Sequence, residues 1–487
     1  MTTLEARVDR RIGSGALARL LGSWAHGGAA YVALADGMRR SVLDGHLPLG
    51  TRLPSERELA DALGVSRTTT AATYQRLREL GYVTTRRGSG SVTTMPTRPA
   101  ATDAVLGPAA SSAADVVDLT MAAPPAPRGL HEAAQRAVEA LPAHLSGTGY
   151  LPAGLPALRA ALADRYTRRG TPTTPQEILV TSGAQQAISL LMSTLLAPGD
   201  RIVIEHPTYP NAIGAARSAG ARPVPVPIGP DGLDIDLLES TIRQTAPRLV
   251  HLTPDHHNPT GLSLDDAARE RVRDLAARYR TVVVGDETLT DLTLEGTRPV
   301  SFSGPVTRPG VVAIGSASKT FWGGLRVGWI RGHRELISRL ANERARADSG
   351  GAVLDQLVVL ELLETEHEAL AERLATVRTA RDALLASVAL HLPWQVATPS
   401  GGLSAWADLG APVSSALAAV AHQHGVRVVP GPVFGVDGSF ENRLRLTFTQ
   451  SPQVLDLGVR RLAAAWASLG LGPGASSTPV PAETTVV

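Results

Sequence analysis

The segment GSASKTFWGGLRVGW, residues 315–329, decides how the larger part of this chain folds. It begins where the apolar run VVAIG ends, so a buried strand delivers Ser316, Ser318 and Lys319 into a glycine-rich turn that also contains Arg326. An amine can bond an aldehyde, and hydroxyl groups together with a guanidinium can hold a phosphate dianion. The segment therefore predicts a site for a ligand that carries both groups.

Lys319 is the only lysine of the chain, since 46 of the 47 Lys and Arg residues are arginine. A guanidinium stays protonated in proteins, whereas a buried lysine can lose its proton and form a Schiff base. One retained lysine could also be an accident of composition. Its position directly after a strand, among serines and glycines, favours the chemical interpretation.

Residues 116–471 show short apolar runs that alternate with helical patterns. The runs include RIVIEHP, RLVHLTP, TVVVGDE and GVVAIGS, and LPALRAALADRY is typical of the segments between them. Buried parallel strands that are separated by helices produce this pattern. We therefore expect a doubly wound α/β domain over these residues.

A different motif occupies residues 54–63, PSERELADAL, where Ser55 and Glu58 form a capping box for a short helix that Gly64 ends. Ser66 caps a second helix, whose first turn is crowded with Arg and Thr. The apolar faces are expected to contain Leu59, Ala62 and Leu63 in the first helix, and Ala72, Leu77 and Leu80 in the second. These features predict a helix-turn-helix, and GYVTTRRGSGSVTT predicts a two-stranded wing after it.

The pattern GHLPLGTRLPSERELADALGVSRTTTAATYQRLRELGYVTTRRGSGS resembles the winged helix of the GntR family of bacterial regulators. The resemblance covers almost all of residues 31–95 and implies binding to a double-stranded DNA operator. It implies DNA contacts from one residue of the first helix, four of the recognition helix and three of the wing: Arg57; Ser66, Arg67, Thr68 and Thr69; and Gly88, Ser89 and Gly90. Thr70 departs from the family, which usually has a β-branched aliphatic residue there.

The lysine segment resembles that of the fold-type I enzymes of the aspartate aminotransferase class, which use pyridoxal 5′-phosphate (PLP). Other segments match that family in the same order, namely GTGYLPAGLPALR, TSGAQQAI, EHPTYP, TPDHHNPTG, VVVGDE and RLRLTF. The resemblance implies a large doubly wound α/β part, a smaller C-terminal α/β part, and PLP bonded to Lys319.

Each matching segment supplies a residue with an implied part in binding the cofactor. The phosphate is held at the helix start by Gly183, Ala184 and Gln185, and by Ser316, Ser318 and Arg326; Tyr209 stacks on the ring; Asn258 donates to its phenolic oxygen; Asp286 keeps its nitrogen protonated; Tyr150 reaches the neighbouring subunit's phosphate; and Arg445 binds a substrate or effector carboxylate. Taken alone, the segment at Gly183 could be an ordinary strand-to-helix turn.

One departure from the enzymes concerns catalysis. In relatives a tyrosine that tunes the bonded cofactor follows the strand-end aspartate by two or three residues, but this chain has Thr288 and Leu289 there. The resemblance therefore implies that the bond to Lys319 forms, while turnover is in doubt.

The remaining composition limits the class of protein. The absence of cysteine excludes disulfides and thiolate metal sites and fits the cytoplasm, and no metal site is predicted. No secretory signal and no run of about 18 apolar residues occur, so no membrane span is expected. Residues 1–95 contain 13 arginines and 8 acidic residues, so their net charge is +5. Because the whole chain has a net charge of +2, the remaining residues have a net charge of −3. This distribution indicates a polyanionic partner for the N-terminal part alone.

The predicted order of domains is a helical extension (1–30), the winged helix (31–95), a Pro/Ala-rich flexible linker (96–115), the aminotransferase-like domain (116–471) and a disordered tail (472–487). This arrangement resembles the MocR subfamily of GntR regulators. The resemblance implies a homodimeric transcriptional regulator that senses PLP, or a small amino compound, through an aldimine at Lys319. Two alternatives stay open: an active aminotransferase that carries a DNA-binding domain, and a regulator that keeps the fold as a dimerisation body without cofactor.

Overall fold

A computed structural model describes residues 10–22, 24, 29–86, 90–96, 116–305 and 310–470. The chain forms two compact units, one of residues 1–114 with 127–136 and one of residues 115–126 with 137–487. The predicted tail, the predicted linker after residue 96, and the wing residues Gly88 and Ser89 lie outside the described residues. None of the helices in the described ranges combines the length and the apolar character that a membrane span requires.

The N-terminal unit is built on a helix-turn-helix, as the sequence predicts. Its elements are α1 (Ser14–Leu21), α2 (Ala30–Leu43), α3 (Glu56–Leu63), α4 (Arg67–Glu79), β1 (Val83–Arg86) and β2 (Gly90–Thr93). Ser55 and Glu58 form the predicted capping box of α3, and Gly64 ends that helix in the left-handed conformation with φ of 67°. β1 and β2 pair in antiparallel register and form the two strands of the wing.

The buried faces of α3 and α4 differ from the prediction. Ala62 and Leu80 are exposed, and α4 instead buries Thr70, Thr73 and Tyr74 beside Leu77. These polar residues can be buried because the backbone satisfies them. The Thr70 hydroxyl donates to the Glu56 carbonyl at 2.8 Å, that of Thr73 to the Thr69 carbonyl at 2.8 Å, and that of Tyr74 to the Pro54 carbonyl at 2.8 Å.

The helix predicted in residues 1–30 is α1, and it packs into the winged helix. Its Leu17 is fully buried in one core with Leu47, Leu59 and Tyr74. Before α1, the Ile12 amide donates to the Arg52 carbonyl at 3.1 Å. This segment therefore supports the N-terminal unit directly.

The elements of the rest of the chain follow in sequence order. They are β3 (Val117–Asp118), α5 (Leu130–Ala140), α6 (Pro156–Arg168), β4 (Ile178–Thr181), α7 (Ala184–Leu195), β5 (Arg201–His206), α8 (Pro210–Ser218), β6 (Arg222–Gly229), β7 (Gly232–Leu233), α9 (Ile235–Thr245), β8 (Leu249–Leu252), α10 (Asp266–Tyr279), β9 (Val282–Asp286), β10 (Val311–Ser316), α11 (Ala317–Thr320), β11 (Gly328–Arg331), α12 (Arg334–Ala347), α13 (Val353–Glu364), α14 (Glu366–His391), β12 (Gln395–Val396), β13 (Ser404–Asp408), α15 (Ser414–Gln423), β14 (Val426–Arg427), β15 (Val429–Pro430), β16 (Arg443–Thr447) and α16 (Pro452–Ser468).

The large sheet of the second unit has the strand order β4-β11-β10-β9-β8-β5-β6-β7. Strands β10, β9, β8, β5 and β6 are parallel, as the apolar runs predict. One core beside the sheet contains Ile188 of α7 and Leu340 of α12, and another contains Leu238 of α9 and Val272 of α10. Helices therefore cover both faces, and the doubly wound prediction is confirmed.

The direction of β11 and the sheet of the smaller C-terminal part are details that the doubly wound prediction did not include. β11 runs antiparallel to both of its neighbours, because the turn after Lys319 reverses the chain and places Arg326 at φ of 51°. The smaller C-terminal part has a four-stranded sheet in the order β12-β13-β16-β15, packed with α14, α15 and α16 around a separate core. β3 pairs with β14, so the first residues of the second unit belong to this smaller part.

Candidate functional sites: a DNA-binding surface and a cofactor cavity

The first turn of α4 presents the predicted DNA-contacting side chains. The Ser66 hydroxyl caps the helix by accepting from the Thr69 amide at 3.1 Å, and it also contacts the Thr68 hydroxyl at 2.7 Å. Arg67 and Thr68 are exposed. Ser66 thus fixes the start of the recognition helix, while Arg67 remains accessible to a base edge or a phosphate.

A cleft of about 450 Å³ brings α3, α4 and the wing together. The predicted residues Arg57, Arg67 and Gly90 line it, and so do two arginines that sequence reasoning missed, Arg11 and Arg52. Arg11 and Arg52 form a β-bridge, and Arg52 forms another with Val92 of the wing. The charge excess of residues 1–95 was the available signal, but it could not place Arg11 beside the recognition helix.

The second site surrounds Lys319 at the end of β10. The Ser316 hydroxyl caps α11 by accepting from the Ser318 amide at 3.1 Å, and so sets the direction of the turn. The Lys319 amine donates to the Ala122 carbonyl at 2.7 Å. Burial, followed by the nearby positive charge of Arg445, lowers the pKa of Lys319 to about 8, although Asp286 opposes the shift.

Lys319 faces a cavity of about 430 Å³ into which most of the predicted binding residues converge. The predicted residues that line it are Ala184, Gln185, Tyr209, Asn258, Asp286, Ser316, Ser318, Lys319, Arg326 and Arg445. Their strands are parallel neighbours, so the carboxyl ends of β8, β9 and β10 meet at this edge of the sheet.

One end of the cavity suits a phosphate. Gly183 has φ of 92° at the start of α7, and a Cβ added there would lie 2.7 Å from the Arg326 guanidinium. Only glycine lets that cation approach the first turn of α7, where backbone N–H groups have no helical partner. The Arg326 Nη2 donates to the Ser182 carbonyl at 3.1 Å. Cation and helix start thus form one anion-binding corner.

The middle of the cavity holds the residues predicted to contact a ring. Asp286 ends β9 with 5% exposure, and its Oδ1 accepts from the Thr288 amide at 3.0 Å. The Tyr209 hydroxyl accepts from Asn211 at 2.8 Å, and burial raises the pKa of this phenol. Thr288 and Leu289 line the wall where the enzymes have a tyrosine, so no phenol occupies those two positions.

Arg445 of β16 also lines this cavity. It is 7% exposed, and it donates to the Asn258 Oδ1 at 3.3 Å and to the Thr120 carbonyl. Its Nε has no hydrogen-bond partner, and no carboxylate of the described chain forms an ion pair with it. Burial lowers the pKa of this guanidinium to about 10. A buried cation without an acidic partner can bind an external carboxylate, which would compensate its charge.

Tyr150 lies outside the cavity of its own chain. Its side chain is 72% exposed, and it is absent from the cavity lining. This placement leaves the residue accessible to a second molecule. No group of His, Cys, Asp and Glu in the described ranges has the arrangement of a metal site.

Comparisons with known proteins agree with the two domains of the chain. The family model for aminotransferase class I and II matches residues 114–462, and that for bacterial regulatory proteins of the gntR family matches residues 30–92. The vitamin B6 salvage pathway transcriptional repressor PtsJ of Salmonella typhimurium is 30% identical over 421 residues, which cover 85% of this chain and 93% of the repressor. This chain belongs to the MocR subfamily of GntR-type regulators.

Two further matches concern a MocR regulator and the fold of the larger domain. The probable rhizopine catabolism regulatory protein MocR of Rhizobium meliloti is 32% identical over 321 residues, covering 61% of this chain and 64% of that protein. The crystal structure of the α-aminoadipate aminotransferase LysN of Thermus thermophilus, complexed with N-(5′-phosphopyridoxyl)-L-leucine, matches with a TM-score of 0.66 at 30% identity. That match covers 73% of this chain and 93% of the enzyme. The MocR-type chain is therefore a DNA-binding regulator with an aminotransferase-like domain.

PLP is the cofactor of the aminotransferase class, and the residues of this MocR-type chain fit it. The buried Arg445 Nε lacks a hydrogen-bond partner, and a Cβ added at Gly183 would meet the Arg326 guanidinium. Arg326 and the start of α7 would hold the phosphate, and Asp286 the ring nitrogen. When bound, PLP would supply an aldehyde group, and Lys319 would provide the amine that can bond to it.

A buried ion network behind the lysine turn was not predicted. The Thr320 hydroxyl donates to Asp291 at 2.9 Å, and Asp291 pairs with Arg165 and with Arg169, the latter at 2.6 Å. Arg169 also pairs with Glu366 of α14 at 2.8 Å. The network fixes α11 to α6 and α14. Single charged residues in sequence are typical of surfaces, so no pattern indicated it.

Proposed function

We propose that this regulator binds PLP at Lys319 and uses the aminotransferase-like domain as a sensor of PLP or of a small amino compound. The ligand state of the cavity would then change how the winged helices engage their operator. Such coupling requires only that the ligand has different affinities for two states of the protein. Since its target is DNA in a bacterial-type regulatory system, we place the protein in the cytoplasm.

One observation carries this proposal. A partly buried amine, that of Lys319, and a buried guanidinium without an ion-pair partner, that of Arg445, line the same cavity of about 430 Å³. The lowered pKa of Lys319 leaves a reactive fraction of neutral amine near neutral pH. The arrangement supports covalent capture of an aldehyde at Lys319 together with recognition of a carboxylate at Arg445.

DNA titrations in the presence of ligands test the sensor directly. PLP alone, and PLP with an amino compound that changes the absorption spectrum, should change operator affinity by at least about fivefold, the lower end of common coupling energies. The control is the same titration with non-operator DNA. Ligand-induced spectral changes that leave operator affinity unaltered would contradict the sensor function.

The pH dependence of PLP binding should report the environment of Lys319. Only the neutral amine attacks an aldehyde, so the binding rate should rise with pH and level off above about 8. Arg445→Gln should move the midpoint to higher pH, because loss of a neighbouring positive charge raises the pKa of the amine. Stopped-flow absorbance measures this rate, with Arg243→Gln on the exposed side of α9 as control. An unmoved midpoint in Arg445→Gln would show that this charge does not act on Lys319.

The alternative function is that of an active aminotransferase, and the convergence of most predicted PLP-binding residues on one cavity favours it. The residues Thr288 and Leu289 in the cavity wall argue against aminotransferase activity, because neither supplies a phenol that could tune proton transfer. We therefore expect transamination to be slow or absent, although amino compounds still change the spectrum. A keto-acid product assay decides the question. Repeated turnovers at about 1 s⁻¹ or faster, within the ordinary enzyme range, would support the enzyme instead.

We also propose a homodimer whose cavities are completed across the interface. The support is Tyr150, which is 72% exposed and matches the residue that reaches the partner's phosphate in related enzymes. The two winged helices would then bind paired half-sites, including direct repeats if the linkers relax the symmetry. Sedimentation at micromolar concentration should give a dimer. Tyr150→Ala should weaken PLP binding while the protein remains a dimer. A monomer would remove the structural basis of this proposal.

A further inference from the structure

The charges of the cavity limit the chemistry of the effector, if the proposed function holds. The lining contains four charged residues, of which the proposed function assigns Lys319 to the aldehyde, Arg326 to the phosphate and Asp286 to the ring nitrogen. Within this chain only Arg445 is left for the effector. One guanidinium accommodates one carboxylate bidentately, so the lining that one chain supplies offers no cation to a second carboxylate.

The cavity lining also includes a group of apolar side chains. Leu289 is 7% exposed, Val429 of β15 pairs with Arg445 of β16, Val433 follows in the turn after β15, and the Phe434 ring lies 5.0 Å from the Arg445 guanidinium carbon. A charged ligand group placed against these side chains would lose its hydration without a compensating partner. An apolar group would instead gain from burial.

We propose that the effector is an α-amino acid with a single carboxylate and an apolar side chain. Its carboxylate binds Arg445, its amine faces Lys319, and its side chain lies against Leu289, Val429 and Val433. This proposal rests on the proposed function, because it takes the PLP positions from it.

Spectral titration of the PLP-loaded, full-length protein tests this proposal with three probes. L-leucine should change the spectrum at concentrations at least about tenfold lower than L-glutamate, which adds a carboxylate, or 3-methylbutylamine, which lacks one. Equal or better binding of either comparison compound would overturn the proposed effector class while leaving the sensor intact. A protein that gives no band with PLP at all would instead overturn the proposed function, and this inference with it.

A pair of valine variants distinguishes a local effect on the cavity wall from a general loss of protein stability. Val433 is 45% exposed and lines the cavity, whereas Val300 is 52% exposed and does not. Val433→Asp should weaken L-leucine binding at least about tenfold and leave the PLP band unchanged, because it places an unpaired carboxylate in the apolar wall. Val300→Asp should bind L-leucine like the wild type. Equal L-leucine affinity in the two variants would overturn the proposed position of the side chain.

A separate observation concerns residues 119–125, which we call the strap. Side chains of the second unit hold its carbonyl groups one after another. Lys319 donates to the Ala122 carbonyl at 2.7 Å and Arg445 donates to that of Thr120. Further donors are the Thr447 hydroxyl to Leu119 at 2.9 Å, the Thr449 hydroxyl to Met121 at 2.9 Å and Arg373 to Pro125 at 2.8 Å.

The strap and the ligands use the same donors. Lys319 and Arg445 are the groups that the proposed function assigns to the cofactor and to the effector carboxylate. A carboxylate competes with the neutral Thr120 carbonyl and accepts the stronger hydrogen bonds. Along the chain, the strap follows the predicted linker and precedes residues 127–136, which belong to the N-terminal unit.

We infer that the strap and the ligands compete for these donors, so that ligand binding releases the strap and makes it the element that reports the state of the cavity. The change reaches the DNA-binding unit along the covalent chain on either side of the strap. This second proposal also rests on the proposed function, but not on the class of effector.

Hydrogen–deuterium exchange in the full-length protein measures release of the strap. Amides of residues 119–126 should exchange at least about fivefold faster with PLP and L-leucine than without ligands, while those of α10 stay unchanged. Thr449→Val should accelerate strap exchange in the ligand-free protein, because it removes the hydroxyl that holds Met121. The matched control is Thr379→Val, whose hydroxyl donates to the Ala375 carbonyl at 3.0 Å on the exposed side of α14.

The outcomes distinguish this proposal from the proposed function. Unchanged or slower strap exchange, while the spectrum shows bound ligand, would overturn the release of the strap and leave PLP binding in place. Equal strap exchange in Thr449→Val and Thr379→Val would show that these side-chain contacts do not hold the strap. Absence of any spectral change on adding PLP would overturn the proposed function itself.

Discussion

Lys319→Arg is expected to abolish the visible absorption band that PLP produces with the wild-type protein, although the variant keeps a positive charge at that position. A guanidinium neither loses its proton at accessible pH nor condenses with an aldehyde. Because the chain contains no other lysine, no neighbouring amine can replace it. Borohydride reduction of the wild type should fix one pyridoxyl group on the peptide that contains residue 319, and none in the variant.

The matched control adds a lysine instead of removing one. Arg243 is exposed on α9, so Arg243→Lys supplies a solvated amine with an ordinary environment. With one equivalent of PLP, this variant should still be labelled at Lys319, because a solvated amine is mostly protonated at neutral pH. A band of wild-type intensity in Lys319→Arg would sink the assignment of the covalent site.

The architecture could be predicted from sequence where one physical signal dominated. Continuous apolar runs of four to six residues specify strands that are buried on both faces, and β5, β8, β9 and β10 follow the predicted runs closely. The antiparallel β11 could not be read in this way, because the run GWIR has no feature that gives its direction. The reversal depends on the left-handed backbone of Arg326, a residue type with no special preference for it.

The helix faces of the winged helix show why periodicity of apolar residues is an incomplete guide. The prediction counted Ala72 and Leu80 as buried, whereas α4 buries Thr70 and Thr73, whose hydroxyls donate to carbonyls. Burial of a threonine depends on a backbone acceptor within reach. That acceptor can be several residues away or on another helix, as with the Glu56 carbonyl, and the sequence does not show it.

The features of the cofactor cavity could also be predicted from the sequence only in part. Side chains that bind ligands by their own chemistry, such as Lys319, Asp286 and Arg445, could be predicted, and the structure brings them into one cavity. Lys319 also donates to the Ala122 carbonyl and Arg445 to that of Thr120, and backbone carbonyls are acceptors that every residue possesses. No residue pattern could therefore have indicated the strap, and only the three-dimensional arrangement shows it.

Arg67→Ala is expected to reduce specific DNA binding more than any arginine substitution in the aminotransferase-like domain. Arg67 opens the recognition helix, is exposed, and lines the cleft between α3, α4 and the wing. A bidentate contact from such an arginine to guanine contributes about 1–3 kcal/mol of discrimination, or roughly 5- to 150-fold in affinity. Gel-shift titration should show operator affinity approaching that for random DNA.

Arg78, near the other end of α4, supplies the control for Arg67. Arg78 is also exposed on α4, but it lies roughly 16 Å further along the helix axis, beyond the turn that a recognition helix inserts into the major groove. Arg78→Ala removes the same charge, so it should lower binding to operator and random DNA alike and only slightly, mainly through the salt-dependent term. Loss of discrimination in both variants, or in neither, would refute a base contact from Arg67, because a purely electrostatic contribution does not depend on which end of the helix carries the arginine.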